Sequence, residues 1–174
     1  NGSALTNAST PVSLREYDAT GNLIQNIPIP SSGSNRITVS GTATSGGSLA
    51  RSENGLYLAI AGYDSGAGVS SINSATGVSR TLGFVNSAQT WSRPFLVPQT
   101  NAFNTNNIRS AYYDGTNAFA GGNATTATLG GVRYFDSNTN TIQVSSTVTN
   151  IRTVNVFGGQ LYASAASGSN IGVL

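Results

Sequence analysis

The chain contains no cysteine, histidine, methionine or lysine, so all eight of its positive charges are arginine. Each absence removes a chemistry. Without cysteine there is no disulfide and no thiol redox site. Without histidine, cysteine and lysine, the usual Ser–His–Asp triad, the common zinc sites and Schiff-base catalysis each lack a necessary member. The missing starting methionine implies a processed or partial chain. Long apolar runs are absent too: stretches such as "GLYLAIAG" (55–62) fall far short of the roughly 20 residues that span a bilayer as a helix. No membrane insertion is expected, and no signal peptide remains, as for an exported chain already cleaved. Charged residues make up only 8% of the sequence, well under the ~25% of ordinary soluble proteins. The net charge is +2, on arginines scattered at 15, 36, 51, 80, 93, 109, 133 and 152. A nucleic-acid binder concentrates its basic residues in a patch or stripe, so no nucleic-acid partner is expected.

Serine, threonine, asparagine and glycine supply roughly half of the chain, far above average usage. Hydrophobic residues, at 38%, still suffice for a core. The composition is that of a β-rich, polar-surfaced extracellular protein. Apolar residues rarely recur at helical spacing, whereas short apolar or alternating runs bounded by Gly, Asn, Asp and Ser are common: "VSLREY", "LYLAIAGY", "GVRYFD", "TIQVSSTV", "RTVNVF" and "QLYASA". These read as strands joined by tight turns, an all-β chain.

The runs repeat. "LARSENGLYLAIAG" (49–62), "IRSAYYDGTNAFAGG" (108–122) and "IRTVNVFGGQLYASA" (151–165) each give a strand, a turn and a second strand carrying Tyr57, Phe119 or Tyr162. Second hairpins are expected in "GVSSINSATGVSRTL" (68–82) and "GVRYFDSNTNTIQVS" (131–145), with "GVL" (172–174) opening another. Residues 86–107, which hold the only tryptophan, read as an insertion. Four strands in two hairpins per unit, repeating every ~40–60 residues, is the pattern of a β-propeller blade. The expected organisation is one partial propeller-like array: a partial unit over 1–47, full units over 48–106 and 107–149, and a partial unit over 150–174. Two full and two half units imply membership of a larger ring, closed by further blades of the same chain or by another copy.

"RYFDSNTNTIQV" (133–144) spaces Asp136, Asn138 and Asn140 like the start of a calcium loop. An EF-hand loop also requires Gly at its sixth position and Glu at its twelfth; Thr141 and Thr147 stand there. Asp136 aligns with Asn73 and Asp18 in the other repeats, and Asp or Asn fits a turn because its side chain bonds backbone two residues on. A turn is expected, with no metal and no cofactor.

Several stretches resemble a family of secreted, mostly bacterial repeat proteins of unassigned function with β-propeller-like repeats: "TPVSLREYDATGNLIQNIPIP" (10–30), "SGTATSGGSLARSENGLYLAIAGYD" (40–64), "IRSAYYDGTN" (108–117) and "STVTNIRTVNVFGGQLYASAASGS" (146–169). The resemblance implies export and a sequence continuing through further blades past Leu174. It brings no catalytic residues to transfer.

Candidate site residues are few. Trp91 and Arg93, in "TWSRPF", could stack on a sugar and hold an acidic group, the alternative being that Trp91 packs its own loop. Asp64, in "AGYDSGAG", could face the end of a blade. Sequons at Asn1, Asn7 and Asn123 matter for glycosylation only in a eukaryotic secreted chain. The leading expectation is a non-enzymatic, secreted binding or structural module at a cell surface or in a matrix, with a glycan or protein ligand and no catalytic residues. One alternative is a polysaccharide-acting propeller enzyme using carboxylates such as Asp64 or Glu16. Another is a self-assembling filament or ring subunit, built through open strand edges.

Overall fold

A computed structural model describes residues 4–166 and 171–173, the last three by their backbone alone. Asn1 and Leu174 lie outside the described residues. These fold as an all-β chain of antiparallel sheets with no α-helix among them. β1 (Ser9–Pro11) leads into a hairpin of β2 (Ser13–Tyr17) and β3 (Leu23–Pro28), which forms a two-stranded sheet by itself. β4 (Thr38–Ser40) returns to pair with β1. β5 (Ala50–Arg51), β6 (Tyr57–Tyr63), β7 (Arg80–Asn86) and β8 (Trp91–Val97) then run as an antiparallel meander. Thr38 of β4 pairs with Tyr63 of β6, so this sheet has six strands and draws on residues from both sides of position 47. β9 (Ile108–Tyr113), β10 (Ala118–Gly122), β11 (Gly131–Phe135) and β12 (Thr141–Gln143) form a four-stranded meander. β13 (Ile151–Phe157), β14 (Gln160–Ala165) and β15 (Ile171–Val173) form the last sheet.

The sheets stack face to face in chain order because each central strand is apolar on both faces. On β6 and β7, Ala59, Ala61, Tyr63, Leu82 and Phe84 meet Ile108, Ala111, Ala118 and Ala120 of the four-stranded sheet. The opposite face presents Ile60 and Val85 to Leu14 and Ile29 of the β2–β3 layer. Tyr112 and Val132 pack on Ile151, Val154, Leu161 and Ala163 of the last sheet. Strands buried on both sides read as continuous apolar runs rather than alternating ones, as "YLAIAGY" and "TLGFV" do. The approach is close at Gly121, where an added Cβ would lie 2.6 Å from Ile151 Cγ2 and 3.0 Å from Val154 Cγ1. An aromatic chain crosses the middle interface. Tyr57 meets Phe84 edge-on (5.2 Å), Phe84 stacks on Tyr113 (4.3 Å), and Phe95 touches both Tyr113 (5.6 Å) and Phe135 (5.3 Å). The leading strands β5, β9 and β13 lie side by side, with a parallel bridge between Ser48 and Ser110.

Three sequence expectations need correction. Residues 91–97 are not an insertion: they form β8, paired with β7 from Arg80↔Val97 to Val85↔Trp91. The surplus lies instead at 64–79, between β6 and β7, where Gly68, Ser71 and Gly77 take left-handed conformations (φ 88°, 49° and 74°) and no strand forms. The expected hairpin at 68–82 therefore contributes only its last residues to a strand. Gly-Val stands at both 68–69 and 131–132, but the partner of β6 is the long apolar run after residue 80. The turn matching Asp136 is accordingly the one at Asn86, not Asn73. Asn86 Oδ1 accepts from the Ala88 and Thr90 amides (3.0 and 2.9 Å), as Asp18 Oδ1 accepts from Thr20 and Asn22 (2.9 Å each). Asp136 closes the β11–β12 turn by accepting from Asn140 Nδ2 (2.9 Å).

Candidate functional site

Trp91, Arg93 and Asp64 come together on one side of the six-stranded sheet. Trp91 and Arg93 are two apart on β8 and so share a face. The indole packs over Gly83 of β7, where any side chain would collide with it, and Nε1 donates to the Asn35 carbonyl (2.9 Å). Arg93 donates to Thr81 Oγ1 (3.3 Å) and to the Ser34 carbonyl. Asp64, just past β6, accepts from Arg36 Nε (2.8 Å) and lies 3.6 Å from Arg93 Nη2. Burial holds the Arg93 guanidinium below its ordinary range; Asp64 opposes that shift and Arg36 adds to it. The cluster uses its donors to fasten the 34–36 loop onto the sheet. Its chemistry is that of a clamp, with two guanidiniums to one carboxylate.

Glu16, the other carboxylate considered for catalysis, is exposed on β2 and accepts from Gln25 Nε2 across the hairpin. Asn7 is exposed, but its side-chain amide is held by Ser71 Oγ (2.9 Å). Asn123 is half-buried. Among the described residues, no three His, Cys, Asp or Glu side chains gather closely enough to hold a metal ion.

A second, more open site lies where the turns of the leading hairpins converge. The β5–β6 and β9–β10 turns enclose a polar depression of about 400 Å³ lined by Glu53, Asn54, Tyr112, Asp114, Thr116 and Asn117. Its walls are cross-tied. Asn54 Nδ2 donates to the Asp114 carbonyl (3.1 Å), and the Glu53 carboxylate accepts from the Gly159 amide in the β13–β14 turn (3.2 Å). Asp114 accepts from the Thr116 and Asn117 amides (2.8 and 2.7 Å) and from Asn117 Nδ2 (3.2 Å). Partial burial pushes the Asp114 carboxyl up, yet those donors outweigh it and hold the group below the usual carboxylate range. Asp114 is therefore a fixed carboxylate and a poor proton donor near neutrality. Tyr112, fully buried, forms the floor. Burial raises its hydroxyl pKa first, and the nearby charges of Asp114 and Glu53 add to that against a hydrogen bond to Glu53 backbone.

The sequence places turns within "LARSENGLYLAIAG" and "IRSAYYDGTNAFAGG" but does not bring their residues together, and it does not single out Glu53, Asn54, Asp114, Thr116 or Asn117. The usable signal was positional: "ENG" and "DGTN" follow the leading strand of successive repeats, so stacked sheets bring the two turns into register. Comparison of the chain with protein-family models, with curated proteins and with solved structures gave no match.

Proposed function

We propose that the stacked sheets are successive blades of an extracellular β-propeller, and that the chain is a non-enzymatic binding module that takes a glycan in the depression of the converging turns. The observation that carries this reading is the arrangement around β5, β9 and β13. Sheets follow one another face to face in chain order, their leading strands run side by side, and their first turns meet at one end. In a propeller, that end is where loops of neighbouring blades build a ligand surface. Amide, hydroxyl and carboxylate groups on rigid turns are suited to sugar hydroxyls, and Asp114 is tuned as an acceptor rather than as an acid. Export rests on the composition and on the family resemblance. The ring takes its remaining blades from the same polypeptide or from another copy.

Glycan-array binding of the full chain tests the reading, with Thr116→Val as the probe variant. Thr116 is exposed, and its side chain makes no hydrogen bond with the described residues. Saturable binding that weakens about tenfold in the variant, as for one lost hydrogen bond, supports the assignment. No glycan bound by folded protein overturns it.

A second reading, assembly with another copy, is favoured by the exposed Tyr17, Leu23 and Ile24 on the two-stranded β2–β3 sheet. Exposed apolar residues on a short, open sheet invite strand pairing. Light scattering after size exclusion discriminates: a monomer at every concentration removes this reading.

A further inference from the structure

Arg109, the second residue of β9, is only 5% exposed, and among the described residues no carboxylate pairs with it. Its Nε donates to Ser45 Oγ (3.0 Å), and its Nη1 donates to Asn150 Oδ1 and the Ile151 carbonyl (3.0 Å each). Arg152, the second residue of β13, donates from Nη1 to the same Ser45 Oγ (2.8 Å). Two cationic side chains therefore converge on one neutral hydroxyl. Arg80 and Arg133 are also buried without carboxylates among the described residues, but Arg80 is held by backbone carbonyls and Arg133 by two carbonyls and the Thr141 hydroxyl. Burial, and then the like charge of Arg152, lower the proton affinity of Arg109. An uncompensated pair of this kind is costly in a partly buried setting and favours a counter-charge.

Room for a counter-charge adjoins the pair. A depression of about 290 Å³ is lined by Thr44–Ser48, Arg152 and Thr153, many times the ~30 Å³ that one water occupies in the liquid. The amides of Ser45 and Gly47 in its lining loop form no backbone hydrogen bonds among the described residues, and hydroxyls of Thr44, Ser45 and Ser48 supply further donors. This depression lies at the start of β9 and β13, whereas the glycan-site turns lie beyond their other ends, so the two sites are independent.

We propose that this depression is a binding site for a tetrahedral oxyanion, a sulfate or phosphate group. Arg152 and the loop hydroxyls contact the group, and Arg109 supplies the second positive charge from the buried side. A guanidinium suits such a group because its planar fork matches two oxygens at once.

The test is isothermal titration calorimetry of the full chain with sodium sulfate, and separately with inorganic phosphate, against sodium chloride of matched ionic strength. Saturable binding of either ion is expected, weakened at least about tenfold in Arg152→Gln, the scale of one lost charged hydrogen bond. It should be unchanged in Arg15→Gln on the exposed β2 hairpin. Ser45→Ala, which removes no charge, provides a second variant should Arg152→Gln fold poorly, and it too weakens binding. Displacement of the ion by dextran sulfate assigns the group to a sulfated polymer; without displacement the ligand is the free ion. Absence of saturable binding by both ions, or affinity unaltered in both site variants, overturns the proposal.

Discussion

Replacing Arg80 by methionine tests the account of how this fold closes its loops. Arg80 begins β7, is wholly buried, and lies 5.0 Å over the Tyr63 ring. Its guanidinium donates to the carbonyls of Val78 (2.8 Å), Asn73 (2.7 Å), Asn106 (3.1 Å) and Phe103, the last through both Nε (3.1 Å) and Nη2 (2.9 Å). It thus joins two irregular segments, 73–78 and 103–106, beside the core between two sheets. Methionine keeps much of the apolar stem but leaves four carbonyls without their donor. Hydrogen bonds to a charged group are worth about 1.5–3 kcal/mol each, and buried acceptors left unpaired add their desolvation cost. Against this, the variant no longer buries a charge, which returns part of the loss. The balance is a destabilisation of about 3–5 kcal/mol, within the range reserved for breaking a buried network. For a chain of this size that lowers Tm by roughly 6–20 °C. Thermal denaturation followed by circular dichroism measures it, with Arg15→Met on exposed β2 as the control. A shift equal to the control's would show that water serves these carbonyls as well as Arg80 does, and would sink the reasoning.

Three further outcomes follow from the packing and the charges. Gly121→Val forces a side chain against Ile151, Ser110 Oγ (2.8 Å from the added Cβ) and Val154, and overpacking of this kind costs about 1–3 kcal/mol; chemical denaturation that finds no loss would mean that the two sheets separate freely. Asp64→Asn removes the only carboxylate that, among the described residues, pairs with Arg36 and Arg93, so a stability loss of about 1–2 kcal/mol is expected, and an unchanged denaturation midpoint would refute the clamp. Burial pushes the Tyr63 hydroxyl up to about 12, against the opposing charges of Arg80 and Arg109. Because the neutral form is favoured in the fold, this contribution of about 2–3 kcal/mol is complete below about pH 10 and is lost as pH rises through about 12. A stability profile that stays flat across that window in wild type, or that falls equally in Tyr63→Phe, contradicts it.

Much of the strand order was legible because buried strands carry continuous apolar runs. "YLAIAGY" and "GVRYF" lie in β6 and β11, and the leading hairpins fall where their turns predicted. The β7–β8 hairpin was misread for a physical reason. Its turn, "NSAQT", contains no glycine or proline, and Gln89 supplies the left-handed residue (φ 62°), so only Asn86 and Ser87 marked it. The glycine-rich 64–79 loop imitated a hairpin instead. The pairing of β1 with β4 was invisible, because a three-residue strand carries no periodicity. For the sites, chemistry was the weaker guide. Trp91, Arg93 and Asp64 were singled out for residue type and do meet, yet their donors go to the 34–36 loop. Ser45, Arg109 and Arg152 were overlooked because isolated arginines far apart in sequence read as solvated. The recurrence of "ARS", "IRS" and "IRT" at the head of the leading strands was the available clue.

That recurrence returns to the absence of lysine. Arg80 and Arg133 each donate to backbone carbonyls from more than one guanidinium nitrogen at once, and Arg93 adds the Ser34 carbonyl to a side-chain hydroxyl. A lysine ammonium carries as many protons as three such bonds need, but it gathers them at one point and is more strongly hydrated. It could not reach Val78, Asn73 and Phe103 from one position as Arg80 does. In a fold made of short strands and polar loops, with few carboxylates and no disulfides, the cation is used less as a charge than as a fork that collects carbonyls. Arg80→Lys and Arg133→Lys are therefore not conservative here. The pair at Ser45 departs from this pattern, because there two forks meet where acceptors are scarce, and an arrangement that the fold does not complete with its own carbonyls is the one expected to draw an anion from outside.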